Sequence, residues 1–299
     1  MNPGGVGGLA RIAVASVLFG LASVFIKLAY DHGANVATVL AVRAAAVMPW
    51  VAIFALSRRR TSARIAAPQL VPMGILAVVN VVTFAIAVER MSPALVALIF
   101  YVYPILVIVG AHFLGWSPFN ALTGLAAGAT FLGVGLTIGL PQSEIDGVAV
   151  ALSLLNGIGY AAYILLAERA LRGADAVTSI ALVAGVSSGL LLVGCLAVGV
   201  EIPSEAAGRA VLAALFASMF APHVLVLSGI GRLGGPWGSI VSCLEVVTTV
   251  VATALVLSLP LGPGVIVGGT LVILGGVAGP ILAQQRGRLP ATGRGLGRA

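Results

Sequence analysis

The sequence predicts an all-α integral membrane protein, whose ten transmembrane helices form two inverted repeats of five helices. Three observations predict this fold: an apolar composition, the spacing of the apolar blocks, and an internal repeat. Of the 299 residues, 60% are hydrophobic and only 8% are charged, whereas a soluble domain carries about 25% charged residues. We therefore expect most of the chain to lie in a lipid bilayer.

Apolar blocks of membrane-spanning length follow one another along the chain. The core of a bilayer is about 30 Å thick, and a helix needs roughly 20 apolar residues to cross it. Charges and proline or glycine breaks divide the chain into ten such blocks. They are approximately residues 11–30, 36–56, 69–88, 92–114, 119–140, 147–167, 176–199, 210–229, 234–257 and 263–285. The basic, glycine-rich residues 286–299 are predicted to form a disordered cytoplasmic tail.

The basic residues are concentrated on one side of this arrangement. With a cytoplasmic N-terminus, the cytoplasmic segments contain the arginine clusters of residues 58–64 and 169–172 and the four arginines of the tail. The opposite loops contain only Arg90 and Arg209. Because Lys and Arg are enriched in cytoplasmic loops, both termini are predicted to be cytoplasmic. The net charge of +7 is therefore a topology signal, and nucleic acid is not an expected partner.

An internal repeat relates the two halves of the chain. At an offset of 142 residues, the second half contains GRLGGPWGSIVSCLEVVTT (231–249) in the place of ERMSPALVALIFYVYPILV (89–107). At an offset of 140 residues, it contains RGADAVT (172–178) in the place of HGANVAT (32–38). A nearly constant offset over most of both halves indicates a duplication.

The duplication sets the predicted units and their orientation. Residues 1–143 form the first five-helix repeat, and residues 144–285 form the second. Because each repeat has an odd number of helices, the second enters the membrane in the opposite sense. Inverted repeats recur in secondary transporters, which hold a small-molecule substrate near the midplane and work by alternating access. A transporter is therefore expected, and a channel, a membrane enzyme and a structural membrane protein are the alternatives.

Four segments of the chain resemble one known family. They are LFGLASVFIKLA (18–29), VRAAAVMPWVAIFALSRRR (42–60), AVERMSPALVALIFYVYPILVIVGAHFLG (87–115) and RLGGPWGSIVSCLEVVTTVVATALVLSLPLGPGVIVGGTLVILGGV (232–277). Together with the layout of five plus five helices, these segments resemble the drug/metabolite transporter superfamily in its bacterial EamA-type branch. The resemblance covers roughly residues 12–285.

The resemblance implies a multi-pass protein of the bacterial inner membrane that moves metabolites, amino acids, drugs or nucleotide sugars. Size and composition are most similar to the amino-acid and metabolite exporters, including exporters of aromatic amino acids. Two departures leave the substrate open. The family's usual acid is missing from GWSPF (115–119), and its usual EP is EV at residues 245–246. An exporter of drug-like or other amphipathic metabolites is the alternative.

Few ionisable residues fall inside the predicted helices, and such residues are functional candidates by default. Lys27 and Arg43 lie near helix ends, where a side chain either reaches the interface or pairs with an acid. His223 follows Pro222, and a helix broken by proline turns free backbone groups toward a cavity. Glu245 lies in the middle of the ninth block. Three roles are open for it: binding a substrate amine, carrying a proton, or pairing with Lys27 or Arg43.

Polar and aromatic residues recur at helical spacing in several blocks. On the ninth block, Ser239, Ser242, Glu245 and Thr249 form one stripe, and Pro104 is expected to kink the fourth block. A single stripe is typical of helix packing, but several stripes in symmetry-related helices predict a shared cavity. The predicted substrate-binding residues are Asn80, Phe84, Tyr101, Tyr103, Asn156, Tyr160, Tyr163, Phe220, His223, Ser242 and Glu245.

Glycine pairs in the fifth and tenth blocks have the spacing of close helix packing. The four residues are Gly124, Gly128, Gly264 and Gly268. They are expected to join the two repeats, or two copies of the chain in a homodimer. The sequence contains no Walker motif, HExxH or GxSxG, and only three scattered histidines. An ATP-driven pump, an enzyme, a metal site and a cofactor are therefore not predicted.

Overall fold

The computed structural model describes a chain whose regular elements are all helical, as the sequence predicts. The described residues are 3–57, 67–91, 93–117, 120–139, 145–171, 176–256 and 261–285. The helices are α1 (Pro3–Asp31), α2 (Val36–Ser57), α3 (Ala67–Arg90), α4 (Pro93–Phe100), α5 (Tyr103–Phe113), α6 (Ala121–Ile138), α7 (Gly147–Leu171), α8 (Ala176–Val198), α9 (Ala206–Phe220), α10 (Pro222–Leu233), α11 (Gly235–Ser242), α12 (Leu244–Val256), α13 (Pro263–Ile273) and α14 (Gly279–Gln285), with a π-helical turn at Leu274–Ala278.

Eight helical stretches of the described residues are long and apolar enough to cross a membrane. Two shorter apolar stretches, Val71–Phe84 and Val183–Val198, lie in α3 and α8. The prediction of a multi-pass helical membrane protein is confirmed, whereas the count of ten spans in two inverted repeats stays a prediction. The boundary at residue 143, the arginine cluster of residues 58–64 and the tail of residues 286–299 lie outside the described residues.

Two of the predicted spanning blocks are interrupted next to a proline. The fourth block forms α4 and α5, which are separated at Tyr101 and Val102, just before Pro104. The eighth block forms α9 and α10, which are separated at Ala221, just before Pro222. Proline has no N–H to donate, and its ring clashes with the preceding helical turn. The sequence therefore locates both interruptions.

A third interruption, between α11 and α12, has no proline. It falls at Cys243, whose N–H donates to the carbonyl of Ile240 at 3.2 Å. A bond that spans three residues instead of four tightens the turn in the manner of a 3₁₀-helix. Cys243 follows Tyr101 by the same offset of 142 residues that relates the two halves of the sequence. The breaks in the fourth and ninth blocks therefore fall at related positions.

The two halves of the chain interleave. α1 packs along α9, α10 and α12, while α3 packs along α7 and α8. α2 packs against α8, and α6 packs against α13. Fully buried apolar side chains, among them Ile12, Ile164 and Ile230, fill these contacts. The main packing surfaces therefore run between the first and second halves of the sequence.

The contact between α6 and α13 depends on glycine. A Cβ atom at Gly268 would lie 2.5 Å from the carbonyl oxygen of Gly133, and one at Gly264 would lie 2.9 Å from the carbonyl oxygen of Leu136. The absence of side chains lets the two backbones approach closely. Gly264 and Gly268 thus pack within the chain, between its two halves. A Cβ atom at Gly128 would meet nothing within 4 Å.

An ion pair joins the end of α3 to the start of α7. The guanidinium of Arg90 lies 3.2 Å from the carboxylate of Asp146. The same carboxylate accepts a hydrogen bond from the backbone N–H of Ala149 at 2.9 Å, which caps the first turn of α7. The Ala149 N–H and the Arg90 guanidinium hold the pKa of Asp146 below its usual value, because both stabilise the ionised form.

The depressed pKa of Asp146 predicts a loss of stability in acid. A carboxyl group whose pKa falls on folding stabilises the protein above its unfolded pKa of about 3.9, and this contribution disappears as the pH falls through the lower folded pKa. The wild type should therefore have a higher unfolding midpoint in detergent than Asp146→Asn, and this difference should be constant near neutral pH. It should shrink below about pH 4. In an Arg90→Gln background, replacing Asp146 with Asn should cost less stability near neutral pH. The acid decline should then be smaller and end at a higher pH, because the folded pKa of Asp146 is less depressed without the guanidinium.

Candidate functional site

Six aromatic side chains gather where α3, α4, α5 and α7 meet. Their rings stack or meet edge to face, with centroids 5.0 Å apart for Phe100 and Tyr103, 4.9 Å for Tyr103 and Tyr160, and 6.1 Å for Tyr160 and Tyr163. The aromatic cluster consists of Phe84, Phe100, Tyr101, Tyr103, Tyr160 and Tyr163. The break between α4 and α5 supplies three of the six rings. An aromatic ligand side chain would find edge and face contacts here.

Tyr103 is the most enclosed member of the aromatic cluster. It is 1% exposed, and its hydroxyl donates to the carbonyl of Ser239 on α11 at 3.2 Å. The bond joins α5 to α11, the helices that follow and precede the related breaks. Because Tyr103 is buried and its hydroxyl is engaged, its main contribution is to hold these two helices together.

Arg43 on α2 and Glu245 on α12 are opposite charges that act on each other. The guanidinium of Arg43 and the carboxylate of Glu245 attract each other electrostatically. The described part of the chain contains no direct ion pair between them, so the attraction acts across a gap. Glu245 also acts electrostatically on Tyr101 and Tyr160. Its carboxylate is therefore within range of both Arg43 and the aromatic cluster.

A cavity of about 100 Å³ lies beside Arg43. Residues of α2, α3, α7, α8 and α10 enclose it, so both halves of the chain contribute. Most of its lining is aliphatic, and the polar lining residues are Arg43, Tyr163, Ser187, Ser188 and His223. A typical small-molecule pocket has at least about 300 Å³. In this conformation the cavity accordingly encloses only part of a ligand of that size.

Tyr163 connects the cavity to the aromatic cluster. It lines the cavity, and its ring stacks on Tyr160 with an interplanar angle of 10°. A ligand with one end in the cavity could therefore place an aromatic group along Tyr163 and toward the remaining rings. The cavity, with Arg43 in its lining, is therefore continuous with the aromatic cluster through Tyr163. Glu245 interacts electrostatically with Arg43 and with this cluster, and completes the candidate site.

His223 borders the cavity just after the break at Ala221. Its ring meets Phe19 edge to face, with centroids 5.0 Å apart. Its Nδ1 atom is buried and has no hydrogen-bond partner among the described residues. The backbone carbonyl of Met219 interacts electrostatically with the ring, but it does not form a hydrogen bond of good geometry with Nδ1. The ring therefore has a polar atom to offer to a molecule in the cavity.

Known proteins give a family for the first part of the chain. Residues 7–139 match the model described as the EamA-like transporter family. Over these residues, which make up less than half of the chain, the sequence is similar to that family. This similarity and the apolar spans support a multi-pass membrane protein. The predicted resemblance to the drug/metabolite transporter superfamily is thereby confirmed, while the amino-acid exporters within it stay a prediction.

A similar fold is found among solved structures over most of the chain. One structure, described only as "Crystal structure of protein", is similar with a TM-score of 0.74 and 15% sequence identity. The similarity covers 93% of this chain and 99% of that one. At this identity the likeness concerns the fold alone. No curated protein sequence matches the chain.

Two predicted site residues are used in helix packing. The side-chain amide of Asn156 donates to the backbone carbonyl of Asn80 and, at 3.2 Å, to the hydroxyl of Thr83. These bonds join α7 to α3. The hydroxyl of Ser242 donates to the carbonyl of Gly238 at 2.9 Å, within its own helix. Asn156 and Ser242 therefore satisfy their hydrogen bonds without a ligand.

Lys27 lies away from the candidate site. Its side chain is 55% exposed and forms an ion pair with Asp31 at 3.2 Å, one helical turn further along α1. Lys27 is therefore not paired with Glu245, because its ammonium group forms an ion pair with the nearer carboxylate of Asp31. The positive charge that attracts Glu245 is Arg43, without a direct ion pair. The side chain of Phe220 lies outside the described residues.

Two residues of the cavity lining and one helix cap were not predicted from the sequence. Ser187 and Ser188 line the cavity, and two adjacent serines in the apolar block of VSSG (186–189) were the available signal. Glu168, near the end of α7, is 4% exposed and accepts a hydrogen bond from the N–H of Gly235 at 2.9 Å. It caps α11, and it lies one residue beyond the predicted end of the sixth block.

Proposed function

We propose that this chain is a secondary transporter that exports amino acids, aromatic ones among them, by alternating access at the site of Arg43, Glu245 and the aromatic cluster. The observation that carries the proposal is a charge of each sign beside a group of aromatic rings, all on apolar helices. Charges within a membrane are costly and are retained where they bind substrates or ions. An aromatic amino acid has a matching charge of each sign and a ring.

The proposed architecture is ten spans in two inverted repeats. Exchanging each helix for its repeat partner maps the packing of α1 on α10 onto that of α7 on α3. It also maps the packing of α1 on α11 and α12 onto that of α7 on α4 and α5. The contacts of α2 with α8 and of α6 with α13 map onto themselves. A contact pattern that survives this exchange supports a two-fold relation between the halves.

The size and the walls of the cavity support the proposed alternating access. A cavity of about 100 Å³ does not hold a whole amino acid, so loading requires the surrounding helices to separate. Helices of both halves form its walls, and a rocking motion of one half against the other would open it to each side in turn. We place both termini in the cytoplasm and the chain in the bacterial inner membrane, on the strength of the arginine distribution.

Counterflow in reconstituted vesicles tests this function. Purified protein in liposomes loaded with one unlabelled amino acid should take up the same labelled compound, with saturation, and aromatic amino acids should be among the active compounds. Liposomes without protein provide the baseline. Uptake that never saturates would indicate a channel. Counterflow of other metabolites but of no amino acid would contradict the proposed substrate class and leave a transporter.

A further inference from the structure

The cavity beside Arg43 has the polarity of a site for an anionic group. Among the lining residues that the structure describes, Arg43 alone carries a full charge at neutral pH. The side chains around it, such as Leu40, Val47 and Val81, are aliphatic. An arginine side chain presents five N–H donors in a planar fork and accepts no hydrogen bond. Its guanidinium makes no hydrogen bond or direct ion pair with another residue that the structure describes.

His223 adds a second unsatisfied polar group to the same cavity. Its Nδ1 atom is buried without a hydrogen-bond partner among the described residues, although a buried polar atom left unpaired is destabilising. A neutral imidazole with its proton on Nδ1 would donate to an acceptor in the cavity. Arg43 and His223 lie on α2 and α10, in different halves of the chain. An acceptor bound by both would therefore join the two halves.

We propose that this cavity is the subsite for the carboxylate of the substrate, which Arg43 binds through its guanidinium and His223 through Nδ1. The inference rests on the proposed transport function and adds the chemistry that selects the substrate. A carboxylate matches the fork of a guanidinium with two parallel hydrogen bonds. With the carboxylate anchored there, Tyr163 lies at the cavity wall and leads the rest of the molecule toward the aromatic cluster.

Charge balance extends the proposal to a preference for zwitterions. Without substrate, the Glu245 carboxylate compensates the charge of Arg43 across the gap between them. A zwitterion keeps this balance, because its carboxylate pairs with Arg43 and its ammonium pairs with Glu245. An acid without an amine leaves Glu245 uncompensated, and an amine without a carboxylate leaves Arg43 uncompensated. Unpaired buried charges are strongly unfavourable, so the site favours a substrate with both groups.

Three probes of one shape test the inference. They are L-phenylalanine, 3-phenylpropionate, which lacks the amine, and phenethylamine, which lacks the carboxylate. Each is measured as a binder to the purified protein, by thermal stabilisation, and as an inhibitor of counterflow. The wild type should bind L-phenylalanine about 10-fold or more tightly than either partial analogue. Arg43→Gln should weaken the binding of L-phenylalanine and of 3-phenylpropionate by about 10- to 100-fold. The binding of phenethylamine should not weaken and should improve, because no uncompensated guanidinium remains.

Two further variants separate a carboxylate site from a structural role. Arg43→Lys keeps the charge without the planar fork and should restore part of the lost affinity for the two carboxylates. Lys27→Gln removes a positive charge that is already paired with Asp31. This variant should bind all three probes as the wild type does.

Equal weakening of all three probes by Arg43→Gln would overturn the inference, because a structural residue does not distinguish a carboxylate from an amine. Binding of phenethylamine by a wild type that binds neither carboxylate would overturn it as well, while transport itself stood. Absence of counterflow for every compound in the amino-acid and metabolite panel would instead remove the proposed function.

Discussion

Gly268→Ala is expected to destabilise the protein by about 1–3 kcal/mol, the range measured when an extra methyl group is forced into a packed interface. The added Cβ atom would lie 2.5 Å from the carbonyl oxygen of Gly133 and 2.6 Å from the backbone nitrogen of Thr137. Backbone atoms cannot rotate away as a side chain could. α13 would have to move off α6, which would loosen the contact between the two halves. The thermal unfolding midpoint in detergent measures the effect.

Gly128→Ala is the matched control for this prediction. Gly128 lies on α6 at one of the same glycine spacings, but a Cβ atom there would meet nothing within 4 Å. Alanine favours a helix over glycine by up to about 1 kcal/mol, so this variant should be neutral or slightly more stable. Equal destabilisation by both substitutions would contradict the described α6–α13 contact. A change from dimer to monomer in Gly128→Ala alone would support the homodimer predicted through these helices.

The glycine pairs show how far the sequence could predict helix packing. Their spacing identifies helix faces that tolerate close approach, and Gly264 and Gly268 do lie in such a contact. The partner on α6 is Gly133, outside the Gly124 and Gly128 pair. Which glycine meets the other helix depends on the crossing point of the two helices, and that point is set by the whole bundle.

The helices and their breaks were largely predictable, since they depend on local chemistry. Apolar length defines a membrane-spanning block, and Pro104 and Pro222 locate two of the three breaks because proline removes a hydrogen-bond donor. The break at Cys243 has no such local cause. It became recognisable only as the counterpart of the break at Tyr101, once the structure had located both.

The candidate site was predictable in its charges and rings but not in its cavity. Glu245 and Arg43 stood out because charges are rare in apolar helices, and tyrosines at helical spacing indicated an aromatic lining. The choice between Lys27 and Arg43 needed coordinates, because both lie on early helices and only the fold brings Arg43 within range of Glu245. Ser187 and Ser188 are marked in the sequence only as adjacent serines in an apolar block, and packing alone places them at the cavity.

Glu245→Gln is expected to reduce L-phenylalanine counterflow by about 10- to 100-fold, since a hydrogen bond to a charged group contributes about 1.5–3 kcal/mol. Glutamine keeps the shape and an acceptor but cannot compensate an ammonium group. 3-Phenylpropionate has no ammonium, and its binding should improve, because the negative charge near Arg43 has been removed. Glu205→Gln is the control, since that carboxylate is 74% exposed on the connection before α9 and faces His32 at 3.6 Å. Glu205→Gln should leave the counterflow of L-phenylalanine and the binding of 3-phenylpropionate unchanged.

The effect of pH on this variant separates the remaining roles of Glu245. A carboxylate that carries a coupling proton should, once replaced, leave exchange of unlabelled for labelled substrate intact while the pH dependence of net transport disappears. A carboxylate that binds the substrate amine should lose exchange itself. Loss of exchange for L-phenylalanine together with retained binding of 3-phenylpropionate is the result that the proposed site requires.

The double variant Arg43→Gln/Glu245→Gln distinguishes a pair that only stabilises the fold from a pair that binds substrate. Removing one partner leaves the other charge unpaired in an apolar bundle, which is strongly destabilising, whereas removing both is often close to neutral. The unfolding midpoint of the double variant should therefore recover relative to either single variant. If the charges serve only each other, L-phenylalanine counterflow should recover with it. Because the proposed site needs Arg43 for the carboxylate and Glu245 for the ammonium, counterflow should stay lost while the stability returns.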